Sequence, residues 1–287
     1  MSFRLACVQF APAKAEPETN LDTIAEIAVQ TSDVGADLAL FPEASTTGYF
    51  LEGGVVEASL TIEALAGGLE RRLKGRLTRP LDLALGFYEN RDGILYNSAA
   101  YLEFSSDSVQ VRMVYQKFFL PTYGVFDEER FVSRGRHLGV FDTRFGRMGI
   151  LVCEDIWHAV MPTLCAVRGA QLILVPAASP ARGFSGPGID NHDRYTRLFR
   201  GVADEHGVYV ASAQLVGFEG GKGFIGGSTI VDPFGQTVVE APIGEPHLIL
   251  GDIDLELVTI ARAQAPLLSD LKGNWEEVRR LVAETQF

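Results

Sequence analysis

The sequence predicts an α/β fold: a four-layer αββα sandwich of two mixed sheets with outer helices, built as one domain over residues 1–287. Three observations lead there. Strand-like runs recur along the whole chain, and several are apolar without interruption, as strands covered on both faces must be. Amphipathic helical stretches fall between them, so that strands and helices alternate. Turn residues also join some runs directly into hairpins, which makes the sheets mixed. Some eleven strands, with helices enough for two outer layers, suit two sheets packed together.

Residues 3–10 open the chain as a strand. Asn20 or Thr19 can cap the helix that follows, whose Leu21, Ile24, Ile27 and Ala28 share one face. A strand at 38–41 precedes a second helical stretch over about 57–77. Strands follow at 81–87, 94–102 and 109–115, with Asp92-Gly93 turning into the second of these. The strand at 148–152 leads to a helix over 158–168 that Gly169 stops. The strand at 172–175 precedes a helix near 190–205, ending at Gly207. Residues 217–227, rich in glycine, read as a mobile loop beside a pocket. The last strands are 208–213, 229–231, 237–240 and 248–253, two of them joined through Asp232-Pro233-Phe234-Gly235. A helix near 275–284 closes the sequence.

Apolar residues make up 47% of the chain, enough for a sizeable core, and 37 acidic against 25 basic residues give a net charge of −12. That acidity argues against nucleic acid or an anionic membrane as partner. No apolar run approaches the length of a membrane span. The first strand begins at once, with no charged-then-apolar leader, so a reducing cytoplasm is the expected compartment. The three cysteines, at 7, 153 and 165, show neither disulfide nor metal spacing. Cys7 and Cys165 are expected to be small buried residues.

The chemistry lies where apolar strands end. Gly149-Ile150-Leu151-Val152 stops at Cys153, followed at once by Glu154-Asp155-Ile156-Trp157. Leu38-Ala39-Leu40-Phe41-Pro42 delivers Glu43, and Val111-Arg112-Met113-Val114-Tyr115-Gln116 delivers Lys117. Reactive groups in open α/β sheets gather at the carboxyl ends of strands. Alone, each residue has an ordinary reading, the Cys as packing and the Glu and Lys as solvated loop charges. Together they make a cysteine hydrolase. The thiol needs a neighbouring base, which Glu43 supplies, and Glu43 can return the proton to a departing amine. Lys117 and the backbone N–H of Glu154 would face the carbonyl oxygen as it turns anionic.

These three segments resemble the Glu, Lys and Cys motifs of the nitrilase superfamily of carbon–nitrogen hydrolases, in order and in spacing. The likeness runs through nearly the whole chain, including the Asp232-Pro233-Phe234-Gly235 hairpin and Asp252-Ile253-Asp254-Leu255. It implies the αββα sandwich, a homodimer or higher homo-oligomer, and no cofactor or metal. Within the superfamily the chain is similar to the glutaminase domain of glutamine-dependent NAD synthetases, through the run from Leu120 to Phe131, Cys153-Glu154-Asp155-Ile156-Trp157 and Ala177-Ala178-Ser179-Pro180. That likeness implies that Glu128 supports the catalytic pair, and that Tyr123, Trp157 and Ser179 line the substrate pocket. The ordinary readings are a loop ion pair from Glu128 to Arg130 or Arg134, and a packed core Trp157.

The synthetases carry a second, ATP-using domain, and no such domain follows before Phe287. Gly220-Gly221-Lys222-Gly223 lacks the spacing of a phosphate loop. The expected substrate is therefore a small carboxamide such as glutamine, with a separate ammonia-accepting synthetase chain as a conceivable partner. A nitrile is the first rival substrate; Glu154 stands where nitrile-hydrolysing members carry Trp. The five histidines show no ligand spacing for a metal and no orienting motif for a Cys–His pair. A non-catalytic interaction module is the rival from another class, and retention of Glu43, Lys117 and Cys153 speaks against it.

Overall fold

In the computed structural model, which describes residues 2–105, 108–182, 184–185 and 188–285, the central strands are buried on both faces and their successive residues join different cores, which sets the layers. The first half of the chain gives β1 (Ser2–Gln9), α1 (Pro17–Asp33), β2 (Leu38–Leu40), α2 (Val55–Ala58), α3 (Ile62–Leu73), β3 (Leu81–Arg91), β4 (Ile94–Phe104) and β5 (Val109–Gln116). The second half gives β6 (Gly139–Thr143), β7 (Gly146–Ile150), α4 (Val160–Val167), β8 (Leu172–Ala177), β9 (Phe184–Ser185), β10 (Gly188–Ile189), α5 (Asp190–His206) and β11 (Tyr209–Gln214). It continues through β12 (Val216–Glu219), β13 (Lys222–Ile225), β14 (Thr229–Val231), β15 (Thr237–Glu240), β16 (His247–Asp254), α6 (Glu256–Gln264), α7 (Leu267–Gly273) and α8 (Trp275–Glu284).

The two large sheets run β16-β1-β2-β3-β4-β5 and β15-β14-β11-β8-β7-β6. Each has a parallel trio at its centre, β1, β2 and β3 in one and β7, β8 and β11 in the other, with antiparallel strands outside. Leu5, Cys7, Leu38, Leu40 and Ala84 point into the core between the sheets, where they meet Ile150, Leu174 and Val210. Their neighbours Ala6, Val8, Ala39, Leu83 and Leu85 point outward, onto Leu21 and Ile24 of α1 and Leu65 and Leu69 of α3. Helices α4 and α5 cover the second sheet through Cys165, Phe199 and Val202. This is the expected four-layer αββα sandwich. Cys7 and Cys165 are buried, as expected, and burial raises the Cys165 thiol to about 12.

Several local expectations are corrected. Residues 217–227 are not a loop: β12 and β13 pair as a hairpin through Gly220-Gly221. Both glycines have positive φ, +57° and +78°, which is the backbone of a tight two-residue hairpin turn and open to glycine without strain. The helix expected over 57–77 is two helices, separated because Thr61 caps α3 with its Oγ1, accepting from Ala64 N at 3.2 Å. Neither Asn20 nor Thr19 caps α1, which starts earlier on Pro17. Asn20 is instead buried, its Nδ2 donating to Ala13 O and Thr46 O, at 2.7 and 2.9 Å. Strand β6 and helices α6 and α7 were not expected. Among the described residues no helix is long and apolar enough to cross a membrane.

Candidate active site

Glu43, Lys117 and Cys153 each sit one to three residues past a strand end, on β2, β5 and β7 respectively. Close backbone approach brings the first two together. A Cβ on Gly86 of β3 would lie 2.5 Å from Glu43 Cα, and one on Gly135 would lie 2.0 Å from Gln116 O. Only glycine leaves room at either place. Gly86 N donates to Pro42 O at 3.0 Å and Gly135 N to Lys117 O at 2.8 Å, fixing both turns.

Lys117 is fully buried between two carboxylates. Its Nζ donates to Glu43 Oε1 at 2.8 Å and to Glu128 Oε1 at 2.6 Å. Burial alone pulls the ammonium down, but Glu128 and Glu43 hold it well above its ordinary value. Glu128, itself buried, is pushed up to about 7, by burial first, with the Lys117 charge pulling the other way. The ordinary alternative, a loop ion pair of Glu128, is not seen among the described residues: Arg130 pairs with Asp127 and Arg134 with Glu129. Asn97 of β4 donates from Nδ2 to Glu43 Oε1 at 2.7 Å, and Tyr49 OH donates to Glu128 Oε1. Glu43 Oε2 is buried and has no hydrogen-bond partner among the described residues.

Cys153 lies at the entry to a short 3₁₀ turn and has φ of +48°. A non-glycine residue in that region is strained, by about 1–3 kcal/mol, and persists where the surroundings over-determine it. Asp155 does so here. It accepts from Val152 N at 3.2 Å, Phe118 N at 3.1 Å, Phe119 N at 2.8 Å and Tyr115 OH at 2.8 Å. One buried carboxylate thus ties the turn after Cys153 to the turn after Lys117. Burial holds the Asp155 carboxyl up at about 6, its hydrogen bonds opposing. Burial raises the Cys153 thiol well above its ordinary value, and Glu43 adds to this. Lys117, Tyr195 OH (3.4 Å from Sγ) and the Ala178 backbone pull it back. Burial and the Glu43 charge thus favour the protonated thiol at rest.

Cys153 forms part of the wall of a cavity of about 360 Å³, shared with Tyr123, Phe126, Glu154, Trp157, Arg182, Asn191, Arg194 and Tyr195. Tyr123 and Trp157 stand in the lining of this cavity. Tyr123 OH donates to the Glu154 carboxylate at 2.9 Å. Ser179 is fully buried beside the lining: its Oγ donates to Gln214 Oε1 at 2.7 Å, and its side chain also bonds that of Tyr195, which lines the cavity. Two guanidiniums face this cavity, Arg182 at 5.6 Å from the Tyr123 ring centre and Arg194 at 4.9 Å from that of Trp157. Among the described residues no group of three or more His, Cys, Asp and Glu could hold a metal.

Reading the sequence missed Asn97, Tyr49, Tyr195 and the joining role of Asp155. Asn97 carried a signal, as a polar side chain inside the apolar strand 94–104. The other three carried none that distinguishes them from ordinary core or loop residues.

A model of the carbon–nitrogen hydrolase family matches residues 4–263. The chain is 28% identical over 256 residues to a glutamine-dependent NAD(+) synthetase from Acinetobacter baylyi, covering 89% of this chain and 45% of that protein. It is 28% identical over 285 residues to the omega-amidase NIT2 of Bos taurus, covering 96% of this chain and 98% of that one. An amidase of the nitrilase superfamily from Nesterenkonia, solved as a cysteine-to-serine mutant, superposes with a TM-score of 0.72 at 29% identity, covering 95% and 97% of the two chains. The chain spans less than half the length of the NAD synthetases it matches.

Proposed function

Because the chain belongs to the carbon–nitrogen hydrolase family, we propose that it is a thiol-dependent amidase, one domain over residues 1–287, cleaving a small carboxamide to acid and ammonia. The observation that supports this reading is a strained, pocket-lining Cys153 whose thiol feels the charges of Glu43 and Lys117 in the buried Lys117–Glu43–Glu128 cluster.

Cys153 Sγ attacks the amide carbon while its proton passes to Glu43, whose Oε2 is without a partner at rest. Lys117 Nζ and the Glu154 N–H stabilise the oxygen as charge develops; losing one such donor costs about 3 kcal/mol of barrier. The C–N bond breaks, the nitrogen takes the proton from Glu43, and ammonia leaves a thioester on Cys153. Water then attacks the thioester and gives its proton to Glu43. The C–S bond breaks, and the proton returns to sulfur. Glu128 holds the Lys117 ammonium in place throughout.

Tyr123 and Trp157 would flank the bound amide, with Ser179 acting from behind the lining. Arg182 and Arg194 suit a substrate whose far end is a carboxylate, such as glutamine or another ω-amide of a dicarboxylic acid. The similarity to an omega-amidase and to glutamine-dependent synthetases supports the same choice. A second reading rests on the similarity to glutamine-dependent NAD(+) synthetases: the ammonia would be handed to a synthetase partner. Either enzyme would work as a homodimer or larger homo-oligomer in a reducing cytoplasm.

Ammonia release and intact mass, measured after mixing the protein with glutamine, short ω-amides, aliphatic amides and nitriles, test the reading. An acyl adduct is expected on wild type and none on Cys153→Ala. Turnover that survives Cys153→Ala would refute it.

A further inference from the structure

The β12–β13 hairpin carries a buried carboxylate, Glu219, whose position is set far from the reaction in sequence. It accepts from Tyr49 N at 2.9 Å and from Phe50 N at 2.9 Å, both through Oε2. Tyr49 is gripped from its other side as well, where Tyr88 OH donates to Tyr49 O at 2.8 Å. Gly48, with φ of +76°, lets the loop close onto the Glu219 carboxylate: a Cβ there would lie 2.9 Å from Glu219 Oε1. The backbone of Tyr49 is therefore clamped at both its N–H and its C=O. Its hydroxyl donates to the Glu128 oxygen that also receives Lys117.

We propose that Glu219 is a positioning residue for the amidase reaction, holding the Tyr49 hydroxyl on Glu128 and, through it, the Lys117 ammonium at the carbonyl oxygen. The inference rests on the functional reading above. The hairpin is thereby a working part of the site. A shift of the Tyr49 loop by 1 Å would detach its hydroxyl from Glu128, and a misplacement of that size costs on the order of 100-fold in rate. Around Glu128 the other facing groups are Lys117, Glu43 and Asn97, and the charge facing Glu219 is Lys14.

Three variants test this: Glu219→Gln, Tyr49→Phe and the double variant. Each single change should lower kcat roughly 10–100-fold, with KM changed less than threefold. The double variant should be no slower than the slower single, because both act through one contact. The acid limb of kcat/KM should move to higher pH in both singles, since the Tyr49 hydrogen bond lowers the proton affinity of Glu128. The rate of Cys153 alkylation by iodoacetamide, and its pH profile, should change in parallel. This second readout needs no substrate, so wild type that alkylates but releases no ammonia would refute the amidase reading and leave the Glu219 test standing. Effects that multiply in the double variant, or a Glu219→Gln enzyme within twofold of wild type, would overturn the proposal. If circular dichroism shows Glu219→Gln unfolded, Tyr88→Phe releases the other side of Tyr49. A Tyr88→Phe enzyme within twofold of wild type in both rates would then overturn it equally.

Discussion

Replacing Asp155 with Ala should loosen both reactive turns at once. The carboxylate serves four donors, of which Val152 N and Tyr115 OH are buried and Phe118 N and Phe119 N part-buried. An orphaned buried donor costs about 1–3 kcal/mol, and part-buried ones recover some of that from water. Against this, the carboxyl is itself desolvated, which is why burial raises it to about 6. Removing it relieves that cost. The net expectation is a loss of about 3 kcal/mol, close to two orphaned donors. For a chain of this size that lowers Tm by roughly 6–12 °C. The assay is thermal melting alongside turnover, with Asp155→Asn as the volume-matched control that keeps one acceptor oxygen. Because the two turns carry Cys153 and Lys117, turnover should fall at temperatures where the variant is still folded. A variant within about 1 kcal/mol of wild type and fully active would refute the idea that this side chain joins the turns.

Lys117→Met should abolish turnover and leave Glu43 and Glu128 facing each other without a cation. Breaking a buried pair in this way costs about 3–5 kcal/mol, read as a lower urea midpoint at pH 8, and the deficit should shrink at low pH as the carboxylates take up protons. Glu128→Gln should flatten the pH dependence of stability. Folding raises this carboxyl from 4.5 to about 7, so the folded chain holds a proton that the unfolded one releases. The resulting stability is complete below about 4.5 and is lost as pH rises through 7. Asp155 and Asp82, both raised to about 6, act with the same sign, so urea titrations should show the slope reduced but still present. Gly86→Ala puts a Cβ 2.5 Å from Glu43 Cα, on backbone that has no room to yield. Turnover should fall at least tenfold, and wild-type kcat in this variant would count against the placement of Glu43 by β3.

The strands were legible because continuous apolar runs such as Leu172–Ala177 admit few other folds, and because their ends carry the ionisable residues. The site was legible for the same reason: Glu43, Lys117 and Cys153 interrupt an apolar pattern. What was hidden depends on pairing between distant segments. Glu219 lies 170 residues from Tyr49, and nothing local to either residue marks the contact. The hairpin that carries Glu219 was read as a loop because its glycines, at 217, 220, 221 and 223, dilute the alternation that marks a strand. Asn20 has the composition of a cap, yet the start of α1 was decided by Pro17, whose fixed φ suits the first helical position. Ser179 stands just past an apolar strand like the three candidate catalytic residues, but its hydroxyl donates to Gln214, which no spacing rule foretells.

The charges in the site argue for the order of events at the sulfur. A thiol paired in advance with a cationic base rests as thiolate, and such a site needs only to admit the substrate. Here burial and the Glu43 charge keep the Cys153 proton in place. Two acidic groups already share one ammonium, so a resting thiolate would add further negative charge around a single positive one, with almost no solvent to share it. In the proposed reaction the proton would therefore leave sulfur as the new C–S bond forms, when the negative charge moves on to the carbonyl oxygen and toward Lys117. A carboxylate is the base that suits this sequence: taking the proton makes Glu43 neutral, which leaves Lys117 with one fewer competitor as the oxyanion appears. The same neutral acid then stands ready for the departing nitrogen. The buried carboxylate that is without a partner on one oxygen is, on this argument, the reason the thiol can stay protected until an amide is bound.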